Sequence, residues 1–324
     1  MSAAAEAQAA AWYLPKDELL RRPKEVGLAI DPTDKAEIDD AVNVTENSDG
    51  TYRIAIHIAD AGLLWGKSAI IEEAREKGWS WYAPVESGLK NDLMIPEAIS
   101  LDGLGLDRNY YGLGAPAVTI ACDFDPVLRR TLDLDIFKSR VYCEPIDYAR
   151  FSKRISNDNK RAKLIVKAAR LINQDIDTPS DFSRTTTSKD AVAELMIAGN
   201  RLIAEEMRKH GIPWLYRNHK QRIPSTLRDF DASQLDITVS DLLDTMGHAR
   251  YSSTSLRHQG LNLSAYCHFT SPLRRFADLV NHLTLHALFT GKPLPFTQEQ
   301  LDEFAESLTI RTAKEVGALF VQAA

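Results

Sequence analysis

The sequence has few cysteines and no long apolar run, and each shortage excludes a class of protein. Its 324 residues contain three cysteines, which are far apart and form no CxxC pair: Cys122, Cys143 and Cys267. An odd, scattered set of this kind is typical of reduced cytoplasmic thiols and disfavours a disulfide framework or a zinc knuckle. A membrane span needs about 18 consecutive apolar residues, and no such run is present. The alanine-rich start lacks the layout of a signal peptide, so we expect a cytoplasmic protein.

Motifs of several common enzyme folds are also absent. The sequence has no GxGxxG, Walker A or nucleophile-elbow pattern and no internal repeat. The net charge of -6 argues against a protein that coats nucleic acid nonspecifically, because such proteins usually carry a basic domain. Basic residues do cluster over 150–154, 160–170 and 217–222, and we interpret the second cluster as an ordinary exposed helix face.

Strand patterns come first in the chain, and helix patterns follow. Alternating apolar residues predict strands over 26–30, 117–125 and 132–142, and a hairpin over 42–60 that turns at Asp49–Gly50. Apolar spacings of three and four residues predict helices over 68–77, 160–173, 188–210, 272–288 and 298–323. Ser68 is the expected cap of the first helix, and residues 79–114 are expected to form a long ordered loop. We expect residues 2–10 to be frayed or a processing remnant. This order indicates an α+β fold with a mixed or antiparallel sheet.

An acidic stretch follows the first predicted strand. It carries five carboxylates, on Asp31, Asp34, Glu37, Asp39 and Asp40. Carboxylates this close repel one another, and a buried unpaired one would take up a proton, so the arrangement is favourable when a strongly positive group lies among them. Oxygen ligands without Cys or His nearby select Mg²⁺, Mn²⁺ or Ca²⁺ over zinc. The stretch therefore predicts a metal site at the carboxyl end of a strand.

Two other interpretations of the acidic stretch stay open. An acidic loop can simply be solvated. A calcium-binding EF-hand loop needs Gly at its sixth position and Glu at its twelfth, but counting from Asp31 these positions hold Ala36 and Val42. The EF-hand interpretation is therefore the weaker of the two.

A second informative stretch, HFTSPLRRFADLVNH, covers residues 268–282. Ser271–Pro272 fits the N-cap and first position of a helix, which would place Arg274 and Arg275 in the first turn. Cations are unfavourable near the positive end of a helix dipole, so the two arginines indicate an anionic partner. A salt bridge to Asp278 one turn later is the alternative.

Together, the two stretches resemble the ribonuclease II (RNB) family of 3′ exoribonucleases. The acidic stretch is similar to that family's metal motif, and residues 268–282 are similar to its HFTSPIRRYxDL signature. Weaker likenesses lie between them in family order, at 82–84 with 93–96 (YLP…MLP), 146–148 (Leu-x-Tyr) and 192–200 (EExMxxAN). The resemblance implies a partly flexible leader over 1–25 and an RNB catalytic domain over 26–324. In that domain a mixed or antiparallel sheet and helices would surround a central RNA channel.

The resemblance also implies a metal-ligand set. Asp31, Asp39 and Asp40 match the family acids that bind Mg²⁺ or act at the metals, and Mn²⁺ is a possible substitute. Glu37 stands where the family usually has Asp, so its longer side chain reaches a metal directly or only through water. Asp39 is the residue of this set that we also expect to be catalytic.

RNA-contacting residues follow from the same resemblance. Arg274 matches the arginine at the scissile phosphate, Tyr148 the tyrosine near the reacting phosphate, and Arg275 is a further expected RNA contact. Tyr82 matches the aromatic residue that stacks on the 3′-terminal base, and Glu194 the acid that contacts the terminal ribose. For the two tyrosines, core packing is the alternative, but their order in the motif series favours the RNA roles.

The implied function is a Mg²⁺-dependent 3′-to-5′ exoribonuclease that degrades single-stranded RNA to nucleoside 5′-monophosphates by a two-metal mechanism. A degenerate RNB domain that binds RNA without cleaving it is the alternative, motivated by Glu37. A third possibility is an unrelated metal phosphodiesterase that acts on small nucleotides. The chain has no room for the OB-type modules that commonly flank this domain, so we expect separate modules or partner proteins to supply RNA binding. Its oligomeric state stays open.

Overall fold

A computed structural model describes residues 1–33, 37–84, 87, 89–173, 187–219 and 249–323, with the backbone alone for residues 313–323. Asp34 of the acidic stretch lies outside the described residues, as do residues 220–222 of the third basic cluster. None of the described helices combines the length and apolarity that crossing a bilayer requires.

Five strands close into a barrel at the centre of the fold. They are β1 (Lys24–Asp31), β2 (Asp40–Glu46), β3 (Tyr52–Ala59), β4 (Ala115–Asp125) and β5 (Arg130–Asp147). Neighbours along the chain pair antiparallel, and β5 then pairs parallel to β1. Closure leaves no unpaired strand edge in the barrel. The predicted α+β class, mixed sheet and hairpin over 42–60 are confirmed.

Alternating residue size explains why these strands can form so small a barrel. On one face of the strands, large apolar residues such as Leu28, Val42 and Ile56 are buried in the main core. The other face carries small residues, and a side chain added at Gly27 would meet the Cβ of Ala41 at 2.9 Å and the Cδ2 of His57 at 3.1 Å. The barrel interior is therefore filled mainly by small side chains such as Ala41, together with His57, while large apolar side chains on the other face lie in the main core with the helices.

Five described helices follow the barrel strands in the chain, and the first three of them pack on the barrel. They are α5 (Tyr148–Ser156), α6 (Lys160–Ile172), α7 (Ser188–Lys209), α8 (Phe276–Thr290) and α9 (Gln298–Ala323). The helix α6 packs on β2 and on α7. Thr187 and Asp190 form a capping box that fixes the start of α7. Strands β6 (Tyr216–Asn218) and β7 (Arg250–Ser252) pair as a separate two-stranded sheet.

The start of the chain differs from the prediction. Residues 2–10 were predicted to be frayed, but Ala3–Ala10 form helix α1, in which Ala5 and Ala9 are buried. The helix packs on α3 (Ser68–Lys77), and α2 (Lys16–Leu20) follows it. The N-cap of α3 is Lys67 instead of Ser68, and Gly78 is its C-cap, directly after the predicted helix over 68–77. The proposed division of the chain after residue 25 stays a prediction.

The described residues between 79 and 114 form the expected long connection, with short helical turns and isolated bridges. Helix α4 (Glu97–Ser100) and a 3₁₀ turn at Tyr110–Gly112 interrupt it. The backbone N–H of Leu106 donates to the carbonyl of Ile38 at 2.9 Å, so this connection holds the acidic loop.

The close packing at Gly27 gives a test of the barrel interior. We expect Gly27→Ala to lower the free energy of unfolding by about 1–3 kcal/mol, because the added methyl group overpacks a filled interior. Urea unfolding measures the change, with Ser48→Ala in the exposed β2–β3 turn as the control. An unchanged midpoint for Gly27→Ala would contradict the described packing.

Candidate active site

The acidic stretch lies where three strands end at one mouth of the barrel. Asp31 is the last residue of β1, and the register of the parallel pair places it beside Asp147 at the end of β5. Asp40 is the first residue of β2, and Leu28 pairs with Val42, so the end of β1 lies beside the start of β2. The topology therefore brings together carboxylates that the sequence placed at a strand end.

All four predicted metal ligands are buried. Asp31, Glu37, Asp39 and Asp40 expose 7%, 1%, 0% and 6% of their surface. Four carboxylates withdrawn from water at one place are costly unless positive charge compensates them. The solvated-loop interpretation of this stretch does not fit this burial.

Two residues much later in the sequence contact Asp39. The backbone N–H of Leu273, 234 residues away in sequence, donates to Asp39 Oδ1 at 3.0 Å. The Nε atom of Arg274 lies 3.4 Å from Asp39 Oδ2. The side chain of Arg274 is still 37% exposed, so it reaches from the buried carboxylate to the surface of the site. The acidic stretch and the arginine pair thus meet in one place.

The turn that carries Arg274 was predicted incorrectly. The sequence predicted a helix from Ser271–Pro272, but α8 begins at Phe276. Arg275 has an extended backbone and bridges to Trp79, and the N–H of Phe276 donates to the carbonyl of Gly78 at 2.8 Å. Pairing with this distant segment replaces the first helical turn.

Arg275 forms the salt bridge to Asp278 that was the alternative to an anionic partner. Its Nε and Nη2 atoms lie 2.9 Å and 2.7 Å from the two carboxylate oxygens of Asp278. The N–H of Ser271 donates to the same carboxylate at 2.8 Å. Asp278 therefore fixes both the beginning and the end of the 271–275 turn. The side chain of Arg275 keeps 26% exposure, and its expected RNA contact stays a prediction.

Tyr82 lies directly against the acidic loop. Its hydroxyl donates to Glu37 Oε2 at 2.6 Å, and the residue is 38% exposed. Burial raises the pKa of the Glu37 carboxyl, the bond from Tyr82 opposes this shift, and neighbouring Asp39 adds to it. Burial and the nearby Glu37 carboxylate also raise the pKa of Tyr82, so its hydroxyl stays a donor.

The carboxylate chemistry fits a hard divalent cation. Glu37 Oε1 is buried and has no hydrogen-bond partner among the described residues. Burial raises the pKa of the Glu37 carboxyl, and a nearby cation would lower that pKa again. The described side chains do not form a closed metal cluster of three or more His, Cys, Asp or Glu. The donor types and their burial therefore support a cation, while a complete ligand set stays a prediction.

Tyr148 and Glu194 lie on the helices beside the barrel. Tyr148 is the first residue of α5, directly after Asp147, and its ring is half-buried against the main core. Glu194 on α7 is buried, and it accepts a hydrogen bond from Asn173 Nδ2 at 2.6 Å. Burial raises the pKa of Glu194. Tyr148 is thus next to Asp147 at the barrel mouth that holds Asp31, Glu37, Asp39 and Asp40, which we call the acidic mouth. The described hydrogen bonds of Glu194 are with Asn173.

Two buried asparagines, which the sequence did not identify as site residues, position the arginine turn, by which we mean the 271–275 turn that carries Arg274. Asn200 Oδ1 on α7 accepts from the N–H of Phe269 at 2.8 Å. Asn281 on α8 donates to the carbonyl of His268 at 3.1 Å and binds the backbone of Leu215. Both asparagines are buried, and a buried amide needs hydrogen-bond partners, so an asparagine inside a predicted helix was the signal that could have identified them.

A family model and several curated proteins are similar to this chain in sequence. The family model described as "RNB domain" matches residues 24–145 and 142–291. An uncharacterized ribonuclease of Synechocystis sp. is 28% identical over 86% of this chain and 45% of its own length. Ribonuclease R of Thermotoga maritima is 26% identical over 88% of this chain and 48% of its own length. The chain spans about half the length of the curated relatives it matches.

Solved structures share the fold. Ribonuclease R of Mycoplasma genitalium in complex with ribose-methylated single-stranded RNA gives a TM-score of 0.80 at 21% identity, covering 98% of this chain and 60% of that one. Yeast Ssd1, described as a pseudonuclease, gives a TM-score of 0.74 at 20% identity, covering 91% of this chain and 44% of that one. At these identities the likeness establishes the fold alone.

The contact between Tyr82 and Glu37 gives a test of the electrostatics. We expect Tyr82→Phe to raise the pKa of Glu37 further, because the change removes a hydrogen bond that stabilises the ionised carboxylate. Carbon-13 NMR of glutamate-labelled protein, assigned with Glu37→Gln, measures the titration. Tyr13→Phe, at a 74% exposed ring, is the control. A Glu37 titration that is identical in wild type and Tyr82→Phe would rule out the described bond.

Proposed function

We propose that this chain, which belongs to the RNB domain family, is a divalent-metal-dependent exoribonuclease that releases nucleoside 5′-monophosphates from the 3′ end of single-stranded RNA. The observation that carries the proposal is the contact of Leu273 and Arg274 with buried Asp39. An acid that suits a metal and an arginine that suits a phosphate are held together by the fold. This is the pairing that phosphoryl transfer requires.

The ligands of the metal ions would be Asp31, Glu37, Asp39 and Asp40. When bound, divalent ions supply Lewis-acid stabilisation of phosphate oxygens and lower the pKa of a bound water. The carboxylates would be kept ionised by that charge, which offsets the burial that raises the pKa of Glu37. Their role is to hold the ions at fixed positions without moving during the reaction. Mg²⁺ is the proposed ion, and Mn²⁺ offers a similar oxygen preference.

Arg274 would stabilise the charge that develops on the scissile phosphate. Its guanidinium is planar and stays charged, and its partly exposed side chain can turn from Asp39 toward a phosphate. Its contact with Asp39 keeps it in place before substrate arrives. Ser271 Oγ, 3.0 Å from Arg274 Nη2, provides a second anchor.

Stacking on an aromatic ring and a contact to the ribose would bind the RNA strand. The partly exposed ring of Tyr82 offers a stacking surface beside the acids, worth about 1–3 kcal/mol per base in comparable sites. Tyr148 would contact the reacting phosphate, and Arg275 would contribute charge from its pair with Asp278. Glu194 is the proposed reader of a 2′-hydroxyl, which distinguishes RNA from DNA. Separate RNA-binding modules or partner proteins would extend this grip.

A second candidate function is RNA binding without cleavage. Glu37 replaces the usual Asp and is held by Tyr82, which is a specific reason why a metal could be bound incompletely. Yeast Ssd1, whose fold is similar, is described as a pseudonuclease. One assay, the degradation of poly(A), distinguishes the two functions.

We expect the chain to release labelled mononucleotides from uniformly labelled poly(A) with Mg²⁺ and to stop when EDTA is added. Asp39→Asn should lower the rate at least about a hundredfold, the scale of losing one preorganised electrostatic group. Asp135→Asn, at an exposed position of β5, is the matched control and should keep the wild-type rate.

Two results would contradict the proposal in different ways. Intact poly(A) with retained binding would favour the non-cleaving RNA binder. Hydrolysis of bis(p-nitrophenyl) phosphate without any decay of long RNA would instead favour a phosphodiesterase of small nucleotides.

A further inference from the structure

The charge of the chain is concentrated in two adjacent helices. Over α5 and α6, residues 148–172 carry eight Lys or Arg side chains and one acidic side chain, Asp158. The whole chain has a net charge of -6, so this segment is opposite in sign to the average. The sequence alone favoured an ordinary exposed helix face here, and the structure shows how its charges are arranged.

Four of these cations form one row along α6. Lys160, Lys163, Lys167 and Arg170 are all exposed and follow at spacings of three or four residues, which places them on the same side of the helix. At about 1.5 Å of rise per residue the row is ~15 Å long. The opposite side is buried in the main core through residues such as Ile165 and Ala169. The row is therefore fixed on the molecule, because its helix cannot rotate.

The helix α5 extends the same charged surface. Arg150 and Lys153 are exposed, whereas Arg154 forms an ion pair with Glu144 and Arg161 reaches Asn43 at 3.2 Å. We define the α5/α6 basic face by its exposed members, which are Arg150, Lys153, Lys160, Lys163, Lys167 and Arg170.

Among the described residues, the acids beside this face are fewer than its six cations, and one of them, Asp147, lies 3.3 Å from Arg150 Nε. Lys163 pairs with Asp158, and both side chains are largely exposed, so this ion pair is weak. Lys167 lies over the ring of Tyr52, 5.1 Å from its centroid, and Glu46 adds one nearby acid. The face therefore keeps a net positive charge.

We propose that the α5/α6 basic face binds the phosphates of single-stranded RNA outside the acidic mouth, and this rests on the proposed exoribonuclease function. The location supports it, because α5 begins at Tyr148, and the preceding Asp147 lies beside Asp31 in the parallel strand register. A strand whose 3′ end is in the acidic mouth can continue along this face. Lysine and arginine provide such grip without reading sequence.

The chemistry of α6 favours RNA over a membrane surface. A helix that lies on a membrane inserts Trp, Phe or Leu side chains beside its basic residues. The apolar side of α6 is buried against β2 and α7, and none of its exposed members is apolar. The face thus presents charge alone, which suits a flexible polyanion.

The test is the salt dependence of RNA binding. The variant K160Q/K163Q/K167Q/R170Q should bind a fluorescein-labelled 30-nucleotide poly(A) more weakly, and the slope of log Kd against log KCl concentration should fall by about 3, near 0.7 per lost phosphate contact. The pair variant K160Q/R170Q should lose about half as much slope. The control K16Q/R21Q/R129Q/R130Q removes four exposed cations from other surfaces and should keep the wild-type slope.

Binding and cleavage separate this proposal from the proposed function. Gln has nearly the same helix propensity as Lys, so thermal unfolding and circular dichroism should match wild type. Release of mononucleotides from a tetranucleotide should be unchanged, because so short an RNA does not reach α6. The binding titration needs no cleavage, so it decides this proposal even if the chain is not a nuclease.

Two outcomes would overturn the proposal. One is a salt slope in the quadruple variant equal to that of wild type or of the control. The other is unchanged RNA binding together with lost binding to vesicles that contain phosphatidylserine, which would identify the face as a membrane contact.

Discussion

The structure depends on how buried carboxylates at the barrel mouth are compensated. Asp39 has no exposed surface, and its described partners are the N–H of Leu273 and the guanidinium of Arg274. A buried charge that loses its partner is strongly destabilising, so the acidic loop and the arginine turn stabilise each other. Asp278, Asn200 and Asn281 hold the turn in place. The burial of four carboxylates at one place is the physical reason for expecting divalent ions there.

The acidic centre and the basic face explain why the net charge of the chain says little about its ligand. Carboxylates are collected at the ends of β1 and at the start of β2, while the cations of α6 lie on an exposed helix side. A polyanion would meet the basic side chains on its approach, and the acids would act on it only through metal ions. The formal charge of -6 is a total over the whole chain, so it describes neither of these two regions.

Local patterns in the sequence predicted most of the elements. The hairpin at Asp49–Gly50 and the helix closed by Gly78 rest on alternation and turn residues within a short window, and both are present. The parallel closure of β5 on β1 could not be derived, because it pairs residues more than a hundred positions apart. The buried alanines of α1 were missed for the same reason, since their partner is α3.

In the candidate site too, a local pattern placed a residue correctly, whereas contacts between distant segments could not be predicted. Asp31 was placed at a strand end from its neighbours alone, but the helix start at Ser271–Pro272 was wrong. Ser and Pro are good local signals for a cap, and the pairing of Arg275 with Trp79 outweighs them. The bond between Tyr82 and Glu37 also joins distant segments, and no periodicity reports it.

Crystals soaked in Mn²⁺ and measured at its absorption edge would test most directly whether the carboxylates and Arg274 form one metal centre. We expect anomalous density among Asp31, Glu37, Asp39 and Asp40, with Arg274 beside it. Density at another surface, or no density at saturating Mn²⁺, would contradict a metal centre at this mouth of the barrel.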